Sequence, residues 1–262
     1  YDAGLGVAAR DRNCARTGDS GGRSTIIVQA RGQGMSQSIN TIAILGGTGD
    51  LGTGLARRWT QAGYAVIIGS RTLEKAQGAA QALRELMVER GVEDVAVQAM
   101  ENLAAATAAD LVVLTVPFSH QASTLEYVRP ALNGKILVDV TVPLQPPKVG
   151  TVQLPAEGSA GQIAQQLLGD DVQVVSAFQN VAAAHLQEGH GLDCDVLVTG
   201  NSKDAREVVI GLVEAAGMRG FHAGPIANAS AAEALTSILI TINRRYKCHA
   251  GIRITGLEDA SS

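Results

Sequence analysis

The stretches TIAILGGTGDLGTGLARRW (residues 41–59) and YAVIIGSRTLEKA (64–76) decide the fold. An apolar run, Ile42-Ala43-Ile44-Leu45, stops at Gly46-Gly47-Thr48-Gly49-Asp50-Leu51-Gly52, and a helix-like segment follows. Gly63 ends that segment, and a second apolar run, Val66-Ile67-Ile68, leads into Gly69-Ser70-Arg71. Strand, glycine turn, helix and strand in that order form the dinucleotide-binding unit, with Gly47, Gly49 and Gly52 in the G-x-G-x-x-G places. The first two glycines permit a tight turn and close approach of a pyrophosphate to backbone N–H groups. The third lets helix and strand pack closely, and the helix N-terminus supplies partial positive charge for the phosphates.

The end of the second strand chooses between cofactors. A site for NAD usually carries a carboxylate there to accept from the ribose 2′-OH. Here Ser70 and Arg71 stand instead, with Lys75 four residues beyond the arginine. Thr72 is an N-cap candidate, which places Lys75 in the first turn of the next helix. Two cations, a hydroxyl and a helix start suit a 2′-phosphate, so the expected cofactor is NADP(H). Asp50 sits awkwardly beside a pyrophosphate, and its side chain is expected to turn away and cap the helix.

The 262 residues are 46 % hydrophobic and 18 % charged with a net charge of −4, as expected of one or two globular domains with a filled core. No apolar run approaches the length that spans a bilayer. The mild acidity argues against nucleic acid as the main partner. Cys14, Cys194 and Cys248 are odd in number and far apart, which reads as free thiols in a reducing cytoplasm. Residues 1–34 are rich in Gly, Arg, Ser and Asp and lack the apolar segment of a secretory signal. They are expected to be a disordered or non-native leader ahead of Met35.

After Met35, strand-like segments read at about 41–46, 64–69, 95–100, 111–117, 135–142, 172–178 and 195–199. Helix-like segments read at about 50–62, 73–90, 119–130, 160–168 and 203–216, with a long one at 230–247 after the loop FHAGPIANAS. Runs such as Leu111-Val112-Val113-Leu114 are apolar throughout, so both sheet faces must be covered. The expected class is α/β: a Rossmann-type, doubly wound, mainly parallel sheet with a smaller helical C-terminal domain. Residues 35–182 form the NADP-binding domain on this reading, and 183–262 the smaller substrate-side domain. Ligands bind at the carboxyl edge of such sheets. There the segments Thr115–His120, Asp139–Leu144 and Ser176–Ala183 are apolar with scattered hydroxyls and amides. Only Asp139 offers an obvious proton donor, so this lining suits two stacked flat rings better than acid–base chemistry.

At this point a family resemblance can be drawn. GGTGDLGTGLA, IIGSRTLEKA, VVLTVPFSH, VDVTVPL, VVSAFQNVAAAHL and HAGPIANASAAEALTSILITIN, in order from Ile39 to Ile254, resemble the NADPH-dependent reductases of coenzyme F420, the deazaflavin:NADP oxidoreductases. The resemblance implies direct hydride exchange between nicotinamide C4 and deazaflavin C5, with F420 as substrate and no catalytic side chain. It places Thr48, Gly49, Asp50 and Leu51 on the phosphate loop, and Ser70, Arg71 and Lys75 at the 2′-phosphate. It places Val116, His120, Val142, Ala183 and Ala250 near the nicotinamide and the stacked deazaflavin. Gln179 departs from the histidine expected of the family in the VVSA-x-x segment, and the tail beyond Leu257 departs too. Hydride transfer between two cofactors needs ring overlap and exclusion of water, not a nucleophile.

Other features have plainer readings. His185, His190, Asp193 and Cys194 are close in sequence, but their spacing fits no zinc pattern. Cys194 and Cys248 read as buried small apolar groups. Arg244, Arg245, Lys247 and Arg253 form a late basic cluster, either a solvated helix face or an attractor for an acidic cofactor tail. Two other functions remain: an NADPH-dependent reductase of ferric iron, a flavin or an imine, and a non-catalytic NADP sensor. None of Tyr1, Tyr64, Tyr127 or Tyr246 has a lysine four residues on, which argues against a short-chain dehydrogenase. A homodimer is expected.

Overall fold

The computed structural model describes residues 39–187 and 192–256. The expected leader at 1–34, the tail beyond Leu257, Cys14 and His190 lie outside the described residues. Eight strands form one sheet: β1 (Thr41–Leu45), β2 (Ala65–Ser70), β3 (Val97–Glu101), β4 (Leu111–Leu114), β5 (Ile136–Asp139), β6 (Gln173–Ser176), β7 (Asp195–Gly200) and β8 (Arg219–His222). Their order is β3-β2-β1-β4-β5-β6-β7-β8. The first six are parallel, β7 runs antiparallel to β6, and β8 runs parallel to β7. The helices are α1 (Asp50–Gln61), α2 (Leu73–Glu89), α3 (Asn102–Ala108), α4 (Gln121–Val128), α5 (Ala160–Leu168), α6 (Ala183–Leu186), α7 (Lys203–Ala215) and α8 (Ala229–Tyr246).

Successive side chains on a strand point to opposite faces. Ile42 and Ile44 join Leu55, Trp59, Met87 and Val209 in the core layer under α1, α2 and α7. Ala43 and Leu45 join Ala105, Leu125, Ala164 and Ala229 in the layer under α3, α4, α5 and α8. This is the doubly wound architecture expected of apolar strands, and the last two strands extend the same sheet. Trp59 is fully buried; its indole N–H donates to Leu212 O at 2.9 Å, and its ring meets the edge of Phe178. Phe178 adopts φ +73°, a left-handed backbone that a bulky residue rarely takes, so this ring contact anchors the turn after β6.

The strands stop earlier than their apolar runs. β4 ends at Leu114, β5 at Asp139 and β6 at Ser176, and the following residues leave the sheet as carboxyl-edge loops. The helix expected at 119–130 is broken into a 3₁₀ turn at Phe118–His120, α4, and a second 3₁₀ turn at Arg129–Ala131 that contains Pro130. Three elements are additional to the expectation, among them the single turn α6. α3 is seven residues of mostly alanine with no side-chain cap, and β8 is a short edge strand of mixed polarity. Ser159 and Ser202 cap α5 and α7 through hydrogen bonds to Gln162 N and Ala205 N. Thr72 holds the N-cap place of α2 as expected, yet its side chain makes no cap bond. Asp50 is the first residue of α1 behind Gly49 and does not supply the cap expected of it.

The glycine turn is held by contact between backbones. A Cβ on Gly52 would lie 2.7 Å from Gly47 Cα and 2.9 Å from Thr115 Oγ1. Thr115 is itself fixed, because its hydroxyl donates to Leu45 O at 2.9 Å. Gly52→Ala must therefore push α1 off β1. We expect it to destabilise the fold by about 1–3 kcal/mol, read as a lower urea midpoint with an unchanged slope.

Candidate cofactor site

The carboxyl ends of β1, β2, β4, β5 and β6 open on one edge, and the residues singled out in the sequence cluster there. Gly46 begins the loop at φ +72°, a backbone that favours glycine, and a Cβ on it would lie 2.6 Å from Val116 Cγ1. Gly46 thus shapes the turn, although only Gly47, Gly49 and Gly52 were given places in the glycine motif. Val116, at the end of β4, stands directly over the turn. Gly47 N donates to Gly69 O at 3.1 Å and Gly49 N to Gly46 O at 3.3 Å, which fixes the loop between β1 and β2. The first intrahelical bond of α1 is Thr53 N to Gly49 O at 2.8 Å. The N–H groups of Asp50, Leu51 and Gly52 therefore have no intrahelical acceptor and form a donor set for an anion. Thr48, Gly49 and Asp50 are exposed, and a Cβ on Gly49 would approach nothing nearer than 3.9 Å, so the outer face of the loop is open.

At the end of β2, Ser70 is buried whereas Arg71 and Lys75 are exposed. Neither cation pairs with a carboxylate among the described residues. Lys75 lies in the first turn of α2, as its spacing predicted. Unpaired cations beside a helix start, next to an open glycine loop, fit a phosphorylated ribose.

α6 packs against α1, and the C-terminal segment packs against α6. Arg58 donates to Leu186 O at 3.1 Å and His185 O at 3.0 Å, and Gln187 Nε2 donates to Asp50 O at 3.1 Å. Gly54 permits this approach, because a Cβ there would lie 2.6 Å from Leu186 Cβ. α6, which Ala183 opens, therefore lies against α1. His185 Nε2 lies 3.0 Å from His249 O and the two rings meet edge to face, which brings the segment of Ala250 alongside α6. Asn243 Oδ1 accepts from Ala250 N at 2.7 Å. His185 is thus turned to His249, Asp193 pairs with Arg253, and Cys194 lies 3.5 Å from Asn180 Nδ2. The structure corrects the cysteine reading: Cys194 is only half-buried and Cys248 is exposed, because it follows the end of α8. Arg244, Arg245 and Lys247 are exposed at that same end.

His120 is exposed after β4, and Val142 is half-buried after β5. Behind them lies a buried polar network. Asp139 is fully buried, with Oδ1 accepting from Thr141 N and Oδ2 from Gln121 Nε2. Gln121 Nε2 also lies within hydrogen-bond distance of Ala160 O and Thr141 Oγ1. Gln179, which stands where the family resemblance expected histidine, donates to Asp139 O at 2.9 Å and Ser176 Oγ at 2.8 Å. Glu233 of α8 closes the network, accepting from Ala160 N at 2.7 Å, Gly161 N at 3.0 Å and Ser176 Oγ at 3.4 Å. Burial pushes the Asp139 carboxyl above the usual carboxylate range and also keeps it away from the site surface. Glu233 escaped the sequence reading, although a lone carboxylate amid ASAAEALTSILITIN was a usable signal. Gln121 carried no such signal.

Comparison with known proteins accords with this geometry. Residues 41–143 match the family described as NADP oxidoreductase, coenzyme F420-dependent. The F420-dependent NADP reductase of Methanocaldococcus jannaschii is 41 % identical over 223 residues, covering 83 % of this chain and 99 % of that protein. The chain belongs to the F420-dependent NADP reductases. The Methanothermobacter thermautotrophicus member of the family is also 41 % identical, over 225 residues, with 83 % of this chain and 96 % of that protein covered. A solved structure from Arthrobacter sp. FB24 shares the fold with a TM-score of 0.67 at 24 % identity, covering 83 % of this chain and 99 % of the other.

The buried acids make stability depend on pH. Burial, with a smaller contribution from Asp139, pushes the Glu233 carboxyl from its ordinary value of 4.5 up to about 7, against the pull of its three donors. The unfolded chain releases this proton near pH 4.5, whereas the fold holds it to about 7. Stability therefore falls as pH rises through that window and flattens above it, and Asp139 acts in the same direction. Urea unfolding at stepped pH should show a loss of about 1–3 kcal/mol across the window, and Glu233→Gln should remove the share due to Glu233.

Proposed function

We propose that this chain transfers a hydride between NADP(H) and the deazaflavin F420, with the two cofactors laid ring to ring along the carboxyl edge. One observation carries the reading: Arg71 and Lys75, exposed and without a carboxylate partner among the described residues, stand beside an open glycine loop in a chain 41 % identical to F420-dependent NADP reductases. On this reading Gly47, Thr48, Gly49, Asp50, Leu51 and Gly52 hold the pyrophosphate through backbone N–H groups. Ser70, Arg71 and Lys75 hold the 2′-phosphate. Val116, His120, Val142, Ala183 and Ala250 flank the nicotinamide and the deazaflavin ring.

The bound nicotinamide supplies or accepts the hydride at C4. The chain's own work is alignment. The rigid turn after β1 sets the cofactor's depth, the loops after β4, β5 and β6 wall the rings, and the apolar lining keeps water from them. Residues 35–182 carry the NADP half and residues 183–262 the acceptor half, on a sheet common to both. A homodimer through the face of α8 accords with the exposed Val152, Leu154 and Ile238. A cytoplasmic setting suits the free thiols Cys194 and Cys248.

Mixing protein, NADPH and oxidised F420 should bleach the absorbance and fluorescence of the deazaflavin. Turnover with a flavin or ferric iron in its place would overturn the acceptor assignment. Arg71→Ala should weaken NADPH by about 1.4 kcal/mol or more, roughly tenfold, and leave NADH unaffected. Equal weakening of both would refute the 2′-phosphate role.

A further inference from the structure

Glu233 lies outside every role assigned above, yet it joins four parts of the carboxyl edge. Its side chain is 1 % exposed. Through Ala160 N and Gly161 N it fastens α8 to the start of α5, and through Ser176 it reaches the end of β6. Gln179 links Ser176 to the backbone of Asp139, and Thr236, one turn along α8, donates to Gln179 O at 2.8 Å. Glu233 also borders a shallow surface depression with Val142, Pro143, Leu144, Leu154 and Ser237. Two of the network's residues are chain neighbours of proposed ring-site residues: Gln121 follows His120, and Thr141 precedes Val142.

We propose that Glu233 is a positioning residue for hydride transfer: its carboxylate clamps α8 to α5 and Ser176, and so holds the Thr141–Val142 and Gln179–Asn180 segments that wall the ring site. The proposal rests on the reading of His120 and Val142 as ring-site residues. A carboxylate serves three donors at once. A carboxylic acid adds an O–H that cannot face Ala160 N–H or Gly161 N–H, and only Ser176 can turn to accept it. That turn reverses the hydroxyl that now joins Gln179 to Glu233, so uptake of one proton rearranges the end of β6. The titratable group facing Glu233 is Asp139 on β5. α5, β6 and the Ile226–Asn228 turn present none, and the nearest cations of α8, Arg244 and Arg245, lie at its far end.

The test combines kinetics and titration on the full chain. Turnover of NADPH with F420 is followed from about pH 5.5 to 8.5 for wild type, Glu233→Gln and Ser176→Ala. In wild type, kcat should rise through a component centred near 7. Glu233→Gln should lose that component and lower kcat about tenfold at high pH, with KM for NADPH unchanged, because the phosphate sites are distant. Ser176→Ala, which removes one donor to the ionised form, should move the component to higher pH, and it keeps the test open if the first variant folds poorly. Nuclear magnetic resonance of the wild-type protein alone should show the Ala160 and Gly161 amides titrating with the same midpoint. A pH component that persists in Glu233→Gln, or a parallel loss in KM for NADPH, overturns the positioning role. Amides that do not titrate overturn the clamp. Absence of wild-type turnover with F420 overturns the functional reading and the kinetic role together, while the amide titration still decides the clamp.

Discussion

The site depends on a place where two pieces of backbone meet with no side chain between them. α1 begins against the turn after β1 because Gly52 faces Gly47 and Thr115 too closely for a Cβ. That contact aims the first-turn N–H groups of α1 at the space above the sheet and fixes their depth relative to the ends of β4 and β5. It also sets the tilt of α1, which lets Gly54 accept Leu186 and lets Arg58 hold the carbonyls at the end of α6. α6 is thereby registered to the turn after β1. On the proposed reading this fixes the parts that hold the cofactor relative to one another, as alignment for hydride transfer requires.

Much of this was legible in the chain. The central strands read directly, because Ile42–Leu45 of β1 and all of β4 are short apolar runs buried on both faces, and β2 and β5 are nearly so, whereas β3 carries Gln98 and Glu101 at the edge of the sheet. Lys75 could be placed in the first turn of α2 because its distance from Thr72 admits no other position. What escaped had local reasons. β8 is made of Arg219, Gly220, Phe221 and His222, which carry no apolar alternation. It exists because Arg219 forms a two-pronged pair with buried Asp195 and because Gly220 fits against Ile210. α3 is largely alanine, which suits a helix but marks no boundary. Cys248 read as a buried small residue on composition alone, and only the end of α8 exposes it.

The site was legible where backbone geometry dictates residue type and obscure where side chains meet across the fold. Glycines at turns and cations after β2 announce themselves. The bonds from Gln121 to Asp139, from Gln179 to Ser176 and from Glu233 to the start of α5 span 18, 3 and about 73 positions, and no spacing rule predicts the long ones. The same holds for the tail: Ile254 N reaches Asp195 Oδ2 across 59 positions, and this brings Ala250 toward α6.

Burying two acids behind a site that exchanges only a hydride has a physical logic. The ends of parallel strands are where loops diverge, and apolar contacts alone leave such loops free to slide, because dispersion forces carry little direction. Hydrogen bonds from fixed donors to one carboxylate do carry direction. Glu233 takes its donors from the first amides of α5, which lack intrahelical acceptors, so the helix start gains acceptors for the same groups that hold the acid. The arrangement sacrifices stability at neutral pH, where burial opposes the charge, and gains a fixed wall for the rings. Where a reaction relies on the overlap of two flat rings, alignment carries the rate, and on the proposed reading rigidity behind the wall is the form that the catalysis takes.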